Sequence, residues 1–159
     1  MDKEELIILL KEYKENRAKL NMKLKKLKSA RIGLKSCDDA ETSVTANYGI
    51  NQDIHSKNQI SNKVLRKVEE NETRREEFET TIKDLEKEVK ELREKVEPVE
   101  DRLECLKYKE KKMLEAYYIE GRSYEEIGNQ LYFQLFCQTR NWETIKKIVE
   151  KAFNKMLNL

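Results

Sequence analysis

Leu6, Tyr13, Leu20, Leu27 and Leu34 stand seven residues apart, with Leu10 and Leu24 between them. Steps of four and three place such side chains along one side of an α-helix, as in the seam of a coiled coil or helical hairpin. A second stripe, Phe78, Ile82, Leu85, Val89, Leu92, Val96, Val99, Leu103 and Leu106, keeps the same stepping without a break. Strand folds need period-two alternation and frequent turn residues. Here 159 residues hold only 4 Gly and 1 Pro, and 40% of them are charged. The pattern predicts an all-α chain and excludes sandwiches, barrels and doubly wound sheets.

The first stripe predicts a helix over about residues 2–35. Arg17 and Arg31 fall at seam positions, where their stems can pack while the guanidinium groups reach water and set the register. From Cys37 to about His55 the chain mixes Thr, Ser, Asn and Asp without a period, which predicts a connecting loop over about 37–55. Ser56-Lys57-Asn58-Gln59 then has the form of a capping box that starts a second long helix. Val64 and Val68 extend its stripe upstream, weakened by Asn71 and Arg75. Two helices of similar length predict an antiparallel, coiled-coil-like hairpin. Each buries one narrow stripe, so pairing of two hairpins into a four-helix bundle, a homodimer, would deepen the core. Pro98 is the only proline and predicts a kink or a new helix start. The expected domains are therefore a dimerising hairpin, 1–97, and a small helical domain, 98–159.

Several function classes are excluded on composition. The longest apolar run, Leu6 to Leu10, is far short of the roughly 20 residues of a membrane span. The acidic start Met1-Asp2-Lys3-Glu4-Glu5 predicts no signal peptide. Cys37, Cys105 and Cys137 are odd in number and never CxxC, which predicts a reducing, cytoplasmic setting with neither disulfide framework nor zinc site. His55 is the sole histidine, and no glycine-rich phosphate loop is present. The chain is expected to be no enzyme and to need no metal or cofactor.

After Pro98 the pattern changes to short helices with explicit punctuation. One ends near Tyr108; a second carries Met113, Leu114, Tyr117, Tyr118 and Ile119 and closes at Gly121, a residue suited to a helix C-terminus. Ser123-Tyr124-Glu125-Glu126 is a capping box that starts a third helix, with Ile127 and Leu131 inward. Asn141 caps a fourth, whose buried face is Ile145, Ile148, Val149, Ala152, Phe153 and Met156. The arrangement suits a helix-turn-helix module. Tyr132 to Asn141 is longer and more apolar than the usual turn: either the third helix runs on, or the segment packs as a flap.

At these residues the chain resembles region 4 of bacterial sigma factors. The likeness is carried by Leu103 and Leu106, by Glu110, Leu114, Tyr118, Gly121, Ser123 and Glu126-Ile127-Gly128, and by Thr144-Ile145-Lys146 with Lys151-Ala152-Phe153 and Lys155-Met156. With a helical hairpin in front, the whole also resembles the small ArpU-like or RinA-like regulators of phages and prophages. No counterpart of the sigma region that melts promoter DNA is visible. The resemblance implies a double-stranded DNA-binding transcriptional regulator, an activator of late genes that contacts the host RNA polymerase. It implies that the fourth helix enters the major groove, with Trp142, Glu143, Thr144, Lys146 and Lys147 at bases or adjacent backbone. Lys151 and Arg140 would neutralise phosphates, as would Ser123 and Tyr124 at the third helix's N-terminus.

Blander readings stand beside these. The lysines can be the solvated face of an amphipathic helix, and Trp142 can be a packing residue. A DNA-packaging protein like a small terminase subunit joins similar parts, usually in the opposite order. A coiled-coil adaptor would bind only protein. Charge does not decide among them, because 33 basic and 31 acidic residues nearly cancel. Locally they do not: residues 1–36 hold eleven basic and five acidic side chains, residues 63–100 ten and thirteen, and residues 139–159 five and two.

Overall fold

The computed structural model describes the backbone of residues 2–47 and 62–159, and the side chains of 2–39 and 66–159. Among them every regular element is helical: α1 (Lys3–Asn47), α2 (Asn62–Glu104), α3 (Tyr108–Leu114), α4 (Tyr124–Glu126), α5 (Tyr132–Phe136) and α6 (Trp142–Leu157). A π turn, Glu115–Ile119, continues α3, and another, Ile127–Leu131, joins α4 to α5 into one helical run. The long helices α1 and α2 pack against each other and the short helices follow. The chain resolves into two compact units, Asn21–Lys90 and a second made of Met1–Leu20 with Glu91–Leu159.

In Asn21–Lys90, α1 and α2 run antiparallel. Lys23 pairs with Glu88, Arg31 with Glu86 at 2.7 Å and Asp38 with Arg75 at 3.7 Å, so numbers rise on one helix as they fall on the other. Leu27, Ala30 and Leu85 form the seam, with Phe78 and Ile82 against them. Gly33 lies under the Phe78 ring, where a Cβ would come within 2.5 Å of its Cζ. The heptad reading needs one adjustment. The buried positions are Asn16 and Ala30, while Arg17 and Arg31 point outward to Glu100 (3.3 Å) and Glu86. A straight α-helix has 3.6 residues per turn, so a strict seven-residue repeat drifts and the inward side moves to a neighbouring residue.

Two boundaries also differ from the expectation. The loop expected from Cys37 does not begin there, because α1 continues to Asn47. Cys37 is buried and its carbonyl accepts a hydrogen bond from Asn71 Nδ2 at 3.1 Å, so packing against α2 outweighs the weak helix propensity of this stretch. Residues 48–55 of the expected loop, with His55, and the Ser56–Gln59 capping box lie outside the described residues. Pro98 starts no new helix: α2 runs through it to Glu104. Val96, Val99 and Leu103 are buried on either side of it and hold the helix across the missing N–H.

The second unit has the deeper core. Leu6 and Leu10 of α1 and Val99 of α2 are fully buried, as are Met113, Leu114, Ile127, Ile145 and Met156 of the short helices and π turns. Tyr13 donates its hydroxyl hydrogen bond to Glu100 at 2.9 Å, and burial together with that acceptor pushes its pKa up to about 12. Arg102 donates from Nε to the Met156 carbonyl (3.1 Å), tying α2 to the end of α6. On α3 Glu110 is buried and accepts from Lys155 of α6 at 2.7 and 2.8 Å. The hydrogen bonds from Lys155 hold the Glu110 carboxyl below its usual range.

Candidate nucleic-acid interface

α6 begins where Asn141 turns out of the helix and its Oδ1 accepts from the Thr144 N–H at 3.1 Å and the Thr144 hydroxyl at 2.6 Å. This satisfies amides the first turn leaves without partners. From that start the helix has two sides. Ile145, Val149, Ala152, Phe153 and Met156 are buried, and Ile148 is half-buried. Glu143, Lys147 and Lys151, four residues apart, form an exposed line, and Trp142 and Lys146 form the line beside it.

The angle of this helix is fixed from below by Gly128. The α4–α5 run ends at Phe136, where Cys137 takes a left-handed conformation (φ 54°) and its N–H returns to the Phe133 carbonyl at 2.8 Å. Of the two alternatives for 132–141, the third helix runs on: only 137–140 separate the run from the Asn141 cap, and the remaining turn is four residues. Within that turn the Arg140 N–H donates to the Gly128 carbonyl at 3.2 Å. A Cβ on Gly128 would lie far inside van der Waals contact of the Arg140 carbonyl oxygen, and only glycine admits so close a backbone approach. The preceding turn is of the usual kind: Gly121 has φ +71° and the Arg122 N–H returns to the Ala116 carbonyl at 3.0 Å.

The nine residues implied by the resemblance are placed unequally. Trp142, 47% exposed, shares the outer face of α6 with Glu143, Lys146, Lys147 and Lys151. Lys146 sits 3.9 Å from Glu150; among the described residues Lys147 and Lys151 form no ion pair. Arg140 is exposed at the foot of the helix, its guanidinium donating to Gln138 at 3.2 Å. Thr144 is half-buried and occupied by the Asn141 cap. Ser123 is exposed, but its capping box is closed: its N–H and hydroxyl both donate to Glu126 Oε2 at 2.9 Å. Those bonds hold the Glu126 carboxyl below its usual range, and a negative charge therefore sits where a phosphate would dock. The Tyr124 ring stacks on Tyr117 (4.2 Å between centroids, 4° between planes), and burial, then a hydrogen bond with Tyr117, raises its pKa.

Lys155 counts among the basic residues of 139–159, but Glu110 holds it. The signal in the sequence is Glu110 itself, an acid four residues before Leu114 and so on the apolar side of its helix. The sequence assigns no site role to Lys109 or Tyr132, whose side chains meet beside Arg140. No helix among the described residues is long and apolar enough to cross a membrane. Comparison with family models, with curated proteins and with solved structures found no match.

Proposed function

We propose that the chain is a sequence-specific double-stranded DNA-binding transcriptional regulator of the phage or prophage type, with α6 as the helix that reads the major groove. The observation that carries this reading is the outer face of α6. It sets Trp142 and three lysines on a capped, amphipathic helix behind a four-residue turn, with both ends of that turn held by backbone contacts. Glu143 is suited to accept from a cytosine amine, and Lys146, Lys147 and Lys151 to neutralise phosphates. Self-association through the hairpin unit belongs to the same reading. There Leu24, Leu27 and Ile32 border an open apolar trough rimmed by Lys28, Arg31 and Lys35, which fits the more acidic α2 of a second copy. Contact with RNA polymerase rests on the sigma-like resemblance alone.

The test is selection of bound fragments from host or phage DNA with the full chain, followed by footprinting. Two half-sites spaced by whole helical turns, about 10 bp each, are the expected pattern for a dimer. The double variant Lys146→Glu with Lys147→Glu should weaken binding at moderate salt at least about 30-fold, since each lost phosphate contact is worth roughly fivefold at 0.15 M salt. Unchanged affinity would remove α6 from the groove.

A further inference from the structure

We infer that Lys109, Tyr132 and Arg140 form a notch that takes one backbone phosphate of DNA beside the first turn of α6. Three separate segments converge there: Lys109 from the start of α3, Tyr132 from α5 and Arg140 from the turn before Asn141. Lys109 Nζ donates to the Tyr132 hydroxyl and lies 4.6 Å from the centre of the Tyr132 ring and 5.6 Å from that of Phe136. The Arg140 guanidinium carbon is 5.9 Å from the same Tyr132 ring. Two cations thus gather at one phenol that is only 2% exposed, and among the described residues neither forms an ion pair.

This is a poor arrangement for a site meant to stay empty. Two like charges near a buried ring repel, and the phenol, whose oxygen accepts from Lys109, keeps its own proton to donate. A phosphodiester has one negative charge and two unesterified oxygens that only accept, which matches two cationic donors and one hydroxyl. Lys109, before all else, and then Arg140 hold the Tyr132 hydroxyl below its ordinary pKa, so it is a strengthened donor. The place fits as well. A recognition helix reads bases with its N-terminal residues, so the strand backbone passes close to that end, where Arg140 stands two residues before Trp142.

The inference rests on the DNA-binding reading, and its test separates the two. Affinity of the full chain for a nonspecific duplex is measured from low to moderate salt for the native protein, Lys109→Gln, Lys109→Arg, Tyr132→Phe and Lys147→Gln. Lys109→Gln should weaken binding about fivefold at 0.15 M salt and flatten the plot of log affinity against log salt by about 0.9. Lys109→Arg should keep the native slope, and Tyr132→Phe should weaken binding without changing it. If Lys147→Gln loses slope and Lys109→Gln does not, the notch is overturned and α6 remains the DNA-binding element. If the native chain shows no salt-dependent affinity, both fall. A thermal melt accompanies each variant: a Lys109→Gln protein that melts early yet binds as the native chain does assigns Lys109 to packing and overturns the notch. Inorganic phosphate is titrated against the side-chain NMR signals of Lys109 and Arg140. Saturation by it, with the duplex slope unmoved, would assign the notch to free phosphate and overturn the backbone contact.

Discussion

In Asn21–Lys90 the apolar seam is one side chain deep. Leu27, Ala30 and Leu85 each keep 7–8% of their surface, and the cross-helix partners are ion pairs whose side chains are 30–60% exposed. In the unit built from Met1–Leu20 and Glu91–Leu159, by contrast, Leu6, Leu10, Met113, Leu114, Ile127, Ile145 and Met156 lose all contact with solvent. Both units are helical, yet the first has two helices to cover each seam residue and the second has several. Exposed ion pairs contribute about 0–1 kcal/mol each, whereas a fully buried aliphatic side chain contributes about 1.5–3 kcal/mol. Stability and fixed geometry should therefore be concentrated in the second unit. The hairpin, with its thin seam and its open trough on α1, is the part with most to gain from a further helix.

The same substitution made at two glycines gives the sharpest contrast. Gly128→Ala puts a methyl against the Arg140 carbonyl, with the α4–α5 run on one side and the turn on the other, and neither can retreat without moving α6. The expected cost is more than about 3 kcal/mol, together with loss of the DNA affinity proposed for α6. Gly33→Ala meets only the far end of the half-buried Phe78 ring, which can swing toward water. Alanine gains about 1 kcal/mol of helix propensity over glycine, offsetting the displaced ring, so the net change should lie within about 1 kcal/mol of zero. Trp142, the sole tryptophan, reports the second unit by fluorescence during denaturant unfolding, and circular dichroism follows both units. Equal losses at the two sites would contradict the assignment of rigidity to the second unit.

A smaller contrast uses cavities. Ile145→Ala empties a site enclosed on every side and should cost about 3 kcal/mol. Leu85→Ala opens a site that borders water and can relax, and about 2 kcal/mol is expected. If the midpoint shift for Leu85 exceeds that for Ile145 at matched denaturant slopes, the hairpin seam is deeper than two helices make it, as a paired hairpin would require.

What was legible beforehand follows the same division. The stripe from Phe78 to Leu106 could be read residue by residue because each of its nine members is buried or half-buried. The Ser123 and Asn141 caps were legible too, since a cap is a local device whose residues are adjacent in sequence. The fates of Cys37 and Pro98 were not. Local propensity marks them as loop and break, and in both cases contacts from elsewhere in the fold outweigh it. At Tyr132 the continued helix is one of two readings the sequence leaves open, and packing decides between them. The candidate interface divides likewise: the exposed face of α6 follows from its period, but the closed Ser123–Glu126 box, the Tyr117–Tyr124 stack and the Lys109–Tyr132–Arg140 meeting depend on the way the short helices pack.

Lys155 offers the smallest effect, and it tests whether charge contributes more where it is enclosed. Its ammonium bridges both oxygens of the buried Glu110 carboxylate, whereas Arg31 and Glu86 pair with their side chains about half in water. Glu110 has a folded-state pKa below the ordinary carboxylate range, chiefly through the Lys155 hydrogen bonds. A depressed acid contributes stability that is present above the unfolded pKa of about 4.3 and is lost as the pH falls through the lower folded value. Lys155→Gln should therefore cost about 1 kcal/mol near pH 7, with the gap from the native chain closing progressively as the pH is lowered past 4. Arg31→Gln should cost about 0.3 kcal/mol or less, with little change across that range. Denaturant midpoints from pH 7 to pH 3 measure both. A Lys155→Gln deficit that stays constant down to pH 3 would mean the lysine acts through its packed stem, and the contribution assigned to its charge would be wrong.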